Sequence, residues 1–240
     1  MCDVCGCGDP AIVPVDLHHD LLAENDRRAR HNRAHLREDG VFAVNVMGSP
    51  GSGKTALLEA TARRFPAGRL AALSGDLATE RDAERLRAAG IPSLAITTGS
   101  ACHLDARMVH DALHELPLAG REVLFIENVG NLVCPAIYDL GQERNVVLVS
   151  VTEGEDKPLK YPVMFRRADL VVVTKLDLLP LLPEFRLDLL RENLARVMPE
   201  PAALALSVRS GEGLDAWLGW LRDASAGASA QALQPEAQRP

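Results

Sequence analysis

The opening residues M-C-D-V-C-G-C place Cys2, Cys5 and Cys7 in one C-x-x-C-x-C run. Thiolates this close on a short arm, interleaved with Gly6 and Gly8, can wrap one soft or borderline metal ion with little chain strain. A fourth ligand is missing from the local sequence, and the α-amino group is the donor at hand. Three sulfurs and a nitrogen in a plane suit Ni2+, whereas a tetrahedral set suits Zn2+. A second group of soft ligands follows far along the chain. Cys102 is joined directly to His103, and Cys134 closes E-N-V-G-N-L-V-C-P. Two thiolates and an imidazole leave coordination incomplete, and a dimer sharing ligands across a two-fold axis would complete it.

Between the two groups lies a phosphate-binding signature. V-F-A-V-N-V-M-G-S-P-G-S-G-K-T-A-L-L sets an apolar strand before G-x-x-x-x-G-K-[ST] and a helix after it, the context that motif requires. Gly48, Gly51, Ser52 and Gly53 let backbone N–H groups converge on phosphate oxygens, and the helix opening at Lys54, Thr55 and Ala56 adds its positive end. Lys54 is expected to reach the β- and γ-phosphates and the Thr55 hydroxyl to ligate Mg2+.

The base is read from L-V-V-V-T-K-L-D-L. Asp177, in T-K-x-D at a strand end, can accept from the guanine N1–H and exocyclic amine; adenine offers no matching pair and would leave the carboxylate unsatisfied. Lys175 would pack its stem over the base. Thr174 stands where Asn is usual, with a hydroxyl able to tether the strand to the phosphate loop. L-S-V-R-S-G-E-G-L then resembles the S-A-K loop of GTPases, with Ser207 and Val208 in the matching places. GTP, with GDP as product, is the favoured nucleotide. Asp76, in G-D-L-A-T-E-R-D-A, and Glu127, opening E-N-V-G, end strands at the same edge. Either can hold Mg2+ through water or orient the attacking water, or merely cap its strand. Lys54, Asp76 and Glu127 are the catalytic candidates.

Apolar runs of strand length recur at Val41–Val46, Leu70–Leu73, Ser93–Ile96, Val123–Ile126, Val146–Val151 and Leu170–Val173, separated by helical stretches. Their near-continuous Val, Leu, Ile and Ala content fits strands buried on both faces, hence a mainly parallel, doubly wound α/β sheet with helices on both sides. A final strand and helix follow. The segments divide into a cysteine arm at 1–10, a polar, solvent-facing helix within 11–40, a nucleotide-binding GTPase domain at 41–222 and a disordered tail at 223–240.

Bulk properties exclude several classes. The chain of 240 residues carries a formal charge of −7, which offers no footprint for nucleic acid or an anionic membrane. No apolar run approaches the ~20 residues of a membrane span. Clustered cysteines without a secretory signal indicate a reducing, cytoplasmic compartment and metal binding rather than disulfides.

Together these residues resemble the hydrogenase nickel-incorporation GTPase family, HypB. The likeness covers about Val41 to Trp220 plus the arm, and its most specific stretches are G-S-P-G-S-G-K-T, G-D-L-A-T-E-R-D-A, C-H-L-D-A, I-E-N-V-G-N-L-V-C-P and V-T-E-G-E-D-K-P-L-K-Y-P. The resemblance implies a P-loop GTPase of the dimerising SIMIBI type, with GTP promoting the homodimer. It implies delivery of nickel to [NiFe]-hydrogenase, with other accessory proteins and the hydrogenase large subunit as partners. It implies a tight nickel site at Cys2, Cys5 and Cys7 and a weaker nickel or zinc site at Cys102, His103 and Cys134. Relatives often carry a long histidine-rich tract; here His18, His19, His31 and His35 are scattered, which argues against bulk nickel storage. No catalytic-water residue such as Gln directly follows Gly130, so hydrolysis is expected to be slow without a partner. Three rivals remain: a urease-type nickel accessory GTPase, a P-loop small-molecule kinase with structural zinc, and a passive metal-binding protein with a regulatory nucleotide.

Overall fold

The computed structural model describes residues 15–99 and 101–232. The arm with Cys2, Cys5 and Cys7 lies outside the described residues. The strands are β1 (Phe42–Gly48), β2 (Leu70–Asp76), β3 (Ser93–Thr97), β4 (Val123–Glu127), β5 (Arg144–Ser150), β6 (Leu170–Thr174) and β7 (Ala203–Ala205). The helices are α1 (Val15–Glu38), α2 (Lys54–Ala62), α3 (Arg81–Ala88), α4 (Ala106–Leu113), α5 (Lys157–Lys160), α6 (Pro162–Arg166), α7 (Leu187–Val197) and α8 (Leu214–Ala232).

The strands form one seven-stranded sheet in the order β3-β2-β4-β1-β5-β6-β7, and every pairing is parallel. Every residue of β1 is buried, as expected of a parallel strand covered on both faces. Alternation along β1 feeds three core clusters, one on one face of the sheet and two on the other. Phe42, Val44 and Val46 pack with Leu57, Leu58, Leu86 and Trp217 of α2, α3 and α8. Ala43 joins Val109 and Leu113 of α4 and Leu36 of α1 on the opposite face, while Met47 joins Phe165 and Leu190 of α6 and α7. Trp217 locks α8 in place: it is fully buried, and its Nε1–H donates 2.9 Å to Thr61 Oγ1 on α2.

Two expectations need correction. The N-terminal helix does not simply face solvent: Ala29 and Asn32 are completely buried and Leu36 nearly so. The Asn32 amide donates to the carbonyls of Ala106 at 2.8 Å and Leu140 at 3.1 Å. Asn25 donates to Asp139 O and accepts from Ala106 N. Apart from Leu36, the buried stripe is made of Asn and Ala, so an apolar-periodicity criterion passes over it. The tail is not disordered from residue 223, because α8 continues to Ala232. Its alanines are strong helix formers and no proline lies between Leu214 and Pro235. Among the described residues no helix is long and apolar enough to cross a membrane.

Candidate functional site

β1 delivers the phosphate loop and α2 receives it. Gly48 must be glycine, since a Cβ there would lie 2.7 Å from both Leu148 O and Ser52 Oγ. α2 starts at Lys54 with no side-chain cap and no acidic residue in its first turn. Its first N–H groups and positive dipole end therefore face the cleft, the arrangement an anion needs. The Lys54 ammonium folds back toward Gly48 O and Ser49 O at 3.4 and 3.3 Å. Burial lowers its pKa, against the opposing pull of Glu127, Asp82, Glu153 and Asp76. The cleft, about 500 Å³, is lined by Gly51, Gly53, Lys54, Thr55, Ala56, Asp76, Asp82 and Glu127 among others.

Three oxygens converge beside Lys54. Thr55 Oγ1 lies 2.7 Å from Glu127 Oε1 and 2.9 Å from Asp82 Oδ1. Burial pushes the Glu127 carboxyl up to about 7. A protonated Glu127 can donate to Thr55 while Thr55 donates to Asp82, so both contacts are satisfied at once. Glu127 Oε2 is buried without a hydrogen-bond partner, an arrangement that costs stability unless a cation or a water-borne donor meets it. The donor set is all hard oxygen, the chemistry of Mg2+. Asp82, on the first turn of α3, carries no signal in the sequence that sets it apart from Glu80, the other acid in T-E-R-D-A; only the packing of α3 beside α2 selects it. Asp76 lines the same cleft, but its Oδ1 accepts from Ala78 N, Thr79 N and Thr79 Oγ1. Those bonds lower its pKa and close its own turn.

On the far side of the loop the candidate base-reading residues come together. Thr174 Oγ1 donates 2.7 Å to Ser52 O. Lys175 adopts a left-handed backbone, φ 62°, and turns the chain into the 3₁₀ segment that carries Asp177. Ser207 Oγ donates 2.6 Å to Asp177 Oδ1 and accepts from Ser210 N. Val208 packs half-buried against the core beneath.

The second soft-ligand group is also assembled. Cys102 Sγ and Cys134 Sγ lie 2.8 Å apart, and His103 Nδ1 is 3.8 Å from the first of them. All three ligand atoms fall within 4.8 Å of one another. His103 stacks on Tyr138 with ring centroids 4.0 Å apart, and burial lowers its pKa, which favours the neutral, ligating imidazole. The neighbouring Cys102 and burial raise the Cys134 thiol; a bound cation would reverse that by favouring thiolate.

The two centres share one loop. Glu127 ends β4, and residues 128–134 run from it to the cysteine. A Cβ on Gly130 would sit 2.9 Å from Pro50 in the phosphate loop. Asn131 bridges Gly48 and donates 3.2 Å to the carbonyl of Cys102. Asn128 Oδ1 accepts from Leu104 N, two residues beyond Cys102. Both asparagines lie in the I-E-N-V-G-N-L-V-C-P stretch, but nothing in the sequence assigns either of them a role.

Comparison with known proteins agrees with this geometry. Residues 42–203 match the family described as CobW/HypB/UreG, nucleotide-binding domain. The hydrogenase maturation factor HypB of Azotobacter chroococcum is 47% identical over 228 residues, covering 93% of this chain and 74% of the relative. The factor of the same name from Escherichia coli K12 is 47% identical over 208 residues, covering 86% and 71%. The crystal structure of HypB from Helicobacter pylori in complex with nickel is 40% identical and superposes with a TM-score of 0.82 over 85% of this chain and 96% of that one. With its nucleotide-binding P-loop domain and this likeness along most of its length, the chain belongs to the HypB branch of the CobW/HypB/UreG family.

Proposed function

We propose that the protein is a GTP-hydrolysing nickel metallochaperone that helps insert nickel into [NiFe]-hydrogenase, working in the cytoplasm with other accessory proteins and the hydrogenase large subunit. The observation that carries this reading is the loop 127–134, with the buried carboxyl of Glu127 at one end, Cys134 at the other and Gly130 seated on Pro50. Whatever moves the phosphate loop moves the thiolate–imidazole cluster.

In this mechanism Lys54 and the open end of α2 hold the phosphates, and Asp177, steadied by Ser207, selects guanine. Thr55, Asp82 and Glu127, with Asp76 at the rim, would hold Mg2+, which supplies charge neutralisation to the phosphates when bound. Glu127, with a pKa near neutrality, can exchange a proton with attacking water. Cys102, His103 and Cys134 take nickel or zinc, and a second subunit completes their coordination when GTP draws the homodimer together. Cys2, Cys5 and Cys7 supply a separate tight nickel site.

The test is a nickel titration of the full chain with GDP and with a non-hydrolysable GTP analogue, repeated on the Cys2/Cys5/Cys7→Ala variant. One tight nickel plus a second, nucleotide-sensitive site that survives in the variant supports the reading. Weak nickel binding indifferent to nucleotide would sink it.

A further inference from the structure

Four histidines that the nucleotide and thiolate sites do not use meet across the α1–α4 contact. His31 and His35 are four residues apart on α1, and His110 and His114 are four apart at the end of α4, so each pair lies on one helix face. His110 Nε2 and His114 Nε2 are 3.2 Å apart. The His31 ring centroid stands 5.2 Å from that of His110, and the His35 centroid 5.6 Å from that of His114.

The tautomer of His110 follows from its neighbour. Asn32 is wholly buried and its amide nitrogen donates to two carbonyls, Ala106 O and Leu140 O. Its Oδ1 is therefore an acceptor, and it lies 3.1 Å from His110 Nδ1. His110 must carry its proton on Nδ1 and its lone pair on Nε2, aimed at His114. An amide oxygen holding the rear N–H while the front nitrogen is free is the outer-shell arrangement of a metal-binding histidine. His35 has a looser neighbour, with Asp39 Oδ2 3.6 Å from its Nε2, beyond hydrogen-bond distance. Two imidazoles bound to one ion at ~2.0–2.1 Å stand about 2.9 Å apart at a right angle and about 3.3 Å apart in a tetrahedron, a range that spans the separation found here. His31 and His114 are exposed, and His35 and His110 half-buried; gathering the four ligand nitrogens on one ion requires the outer rings to rotate in from solvent. Arg28 and Asp111 are the charged neighbours acting on His110 besides the histidines themselves, and they oppose one another.

We propose that His31, His35, His110 and His114 form a binding site for one borderline divalent transition-metal ion of the Ni2+/Zn2+ class, clasping α1 to α4. Without metal, the 3.2 Å contact is a hydrogen bond from His114 Nε2–H to His110 Nε2. On binding, the His114 proton moves to Nδ1 and the ion takes the place of the shared hydrogen, with no net proton released. An all-imidazole site suits this class of ion and not Mg2+ or Ca2+. The site is separate from the thiolate cluster, and it fastens to the sheet domain the helix that follows the cysteine arm.

Zn2+ titration of the full chain and of the His31→Gln/His114→Gln variant tests the proposal. Both substituted side chains are exposed and leave the Asn32 network intact. The variant should bind one equivalent fewer, or bind its last equivalent at least ~10-fold more weakly. In a Cys2/Cys5/Cys7/Cys102/Cys134→Ser background, Zn2+ should raise Tm when the histidines are present and leave it unchanged when they are replaced. Equal stoichiometry and affinity in the two full chains, or a Zn2+-induced rise in Tm that survives loss of the histidines, would overturn it.

Discussion

The hydroxyl of Thr174, at the end of β6, donates a 2.7 Å hydrogen bond to the carbonyl of Ser52 in the phosphate loop. Both residues are buried. This bond ties the phosphate loop to the strand end that precedes the proposed base-reading segment.

Thr174→Val should therefore leave Ser52 O unpaired and cost about 1–3 kcal/mol. Thr174→Ser, which keeps the donor, should cost less than half of that. Urea unfolding of the nucleotide-free protein measures the first effect. GDP affinity should fall in parallel for Val and remain close to wild type for Ser.

Asp177 accepts from Ser207 through Oδ1, which leaves Oδ2 for the guanine contact proposed above. Asp177→Ala should reduce the preference for GTP over ATP by about 100-fold or more, since a site built to pair with substrate N–H groups discriminates through those bonds. Competition binding with both nucleotides reads the ratio directly. An unchanged ratio would mean that guanine is recognised elsewhere.

Glu127 gives a pH signature. Burial raises its folded pKa from the ordinary value of 4.5 to about 7, so the folded state holds a proton that the unfolded chain has already lost. This contribution is at its most favourable below the unfolded pKa and is lost as pH rises through about 7, amounting to roughly 3 kcal/mol across the window. Glu127→Gln should remove that slope. Denaturant unfolding of both proteins at pH 5 and pH 7.5 should give a stability difference that shifts in favour of Gln at the higher pH. The same variant should lose GTP hydrolysis by at least about 100-fold.

Gly130 packs its backbone onto Pro50 with no room for a methyl group. Gly130→Ala should displace the loop that joins Glu127 to Cys134. Nickel affinity at Cys102, His103 and Cys134 should then respond to GTP less than in the wild type, while GDP binding falls by no more than a few-fold. A variant whose nickel affinity still tracks the nucleotide would show that the coupling runs through another element.

Much of the nucleotide site is legible in the chain because its parts are local. The Gly48–Thr55 loop is contiguous, its glycines and helix start act through neighbouring backbone, and the apolar runs before it and at Leu170–Thr174 announce buried strands. The T-K-L-D and S-V-R segments carry their geometry with them in the same way, and Thr174 takes its tethering position in the structure. Other relationships depend on which distant segments the sheet sets side by side. The order β3-β2-β4-β1 brings the loop after β3 to the loop after β4, and only then do Cys102 and Cys134 touch. Packing of α3 beside α2 turns Asp82, rather than Asp76, toward Thr55. Buried asparagines, invisible to any hydropathy pattern, seat α1 against α4 and bring His31 and His35 to His110 and His114. Motif residues are set by backbone conformation over a few positions, whereas these pairings are set by burial and hydrogen bonding between segments dozens of residues apart, which only the folded chain decides.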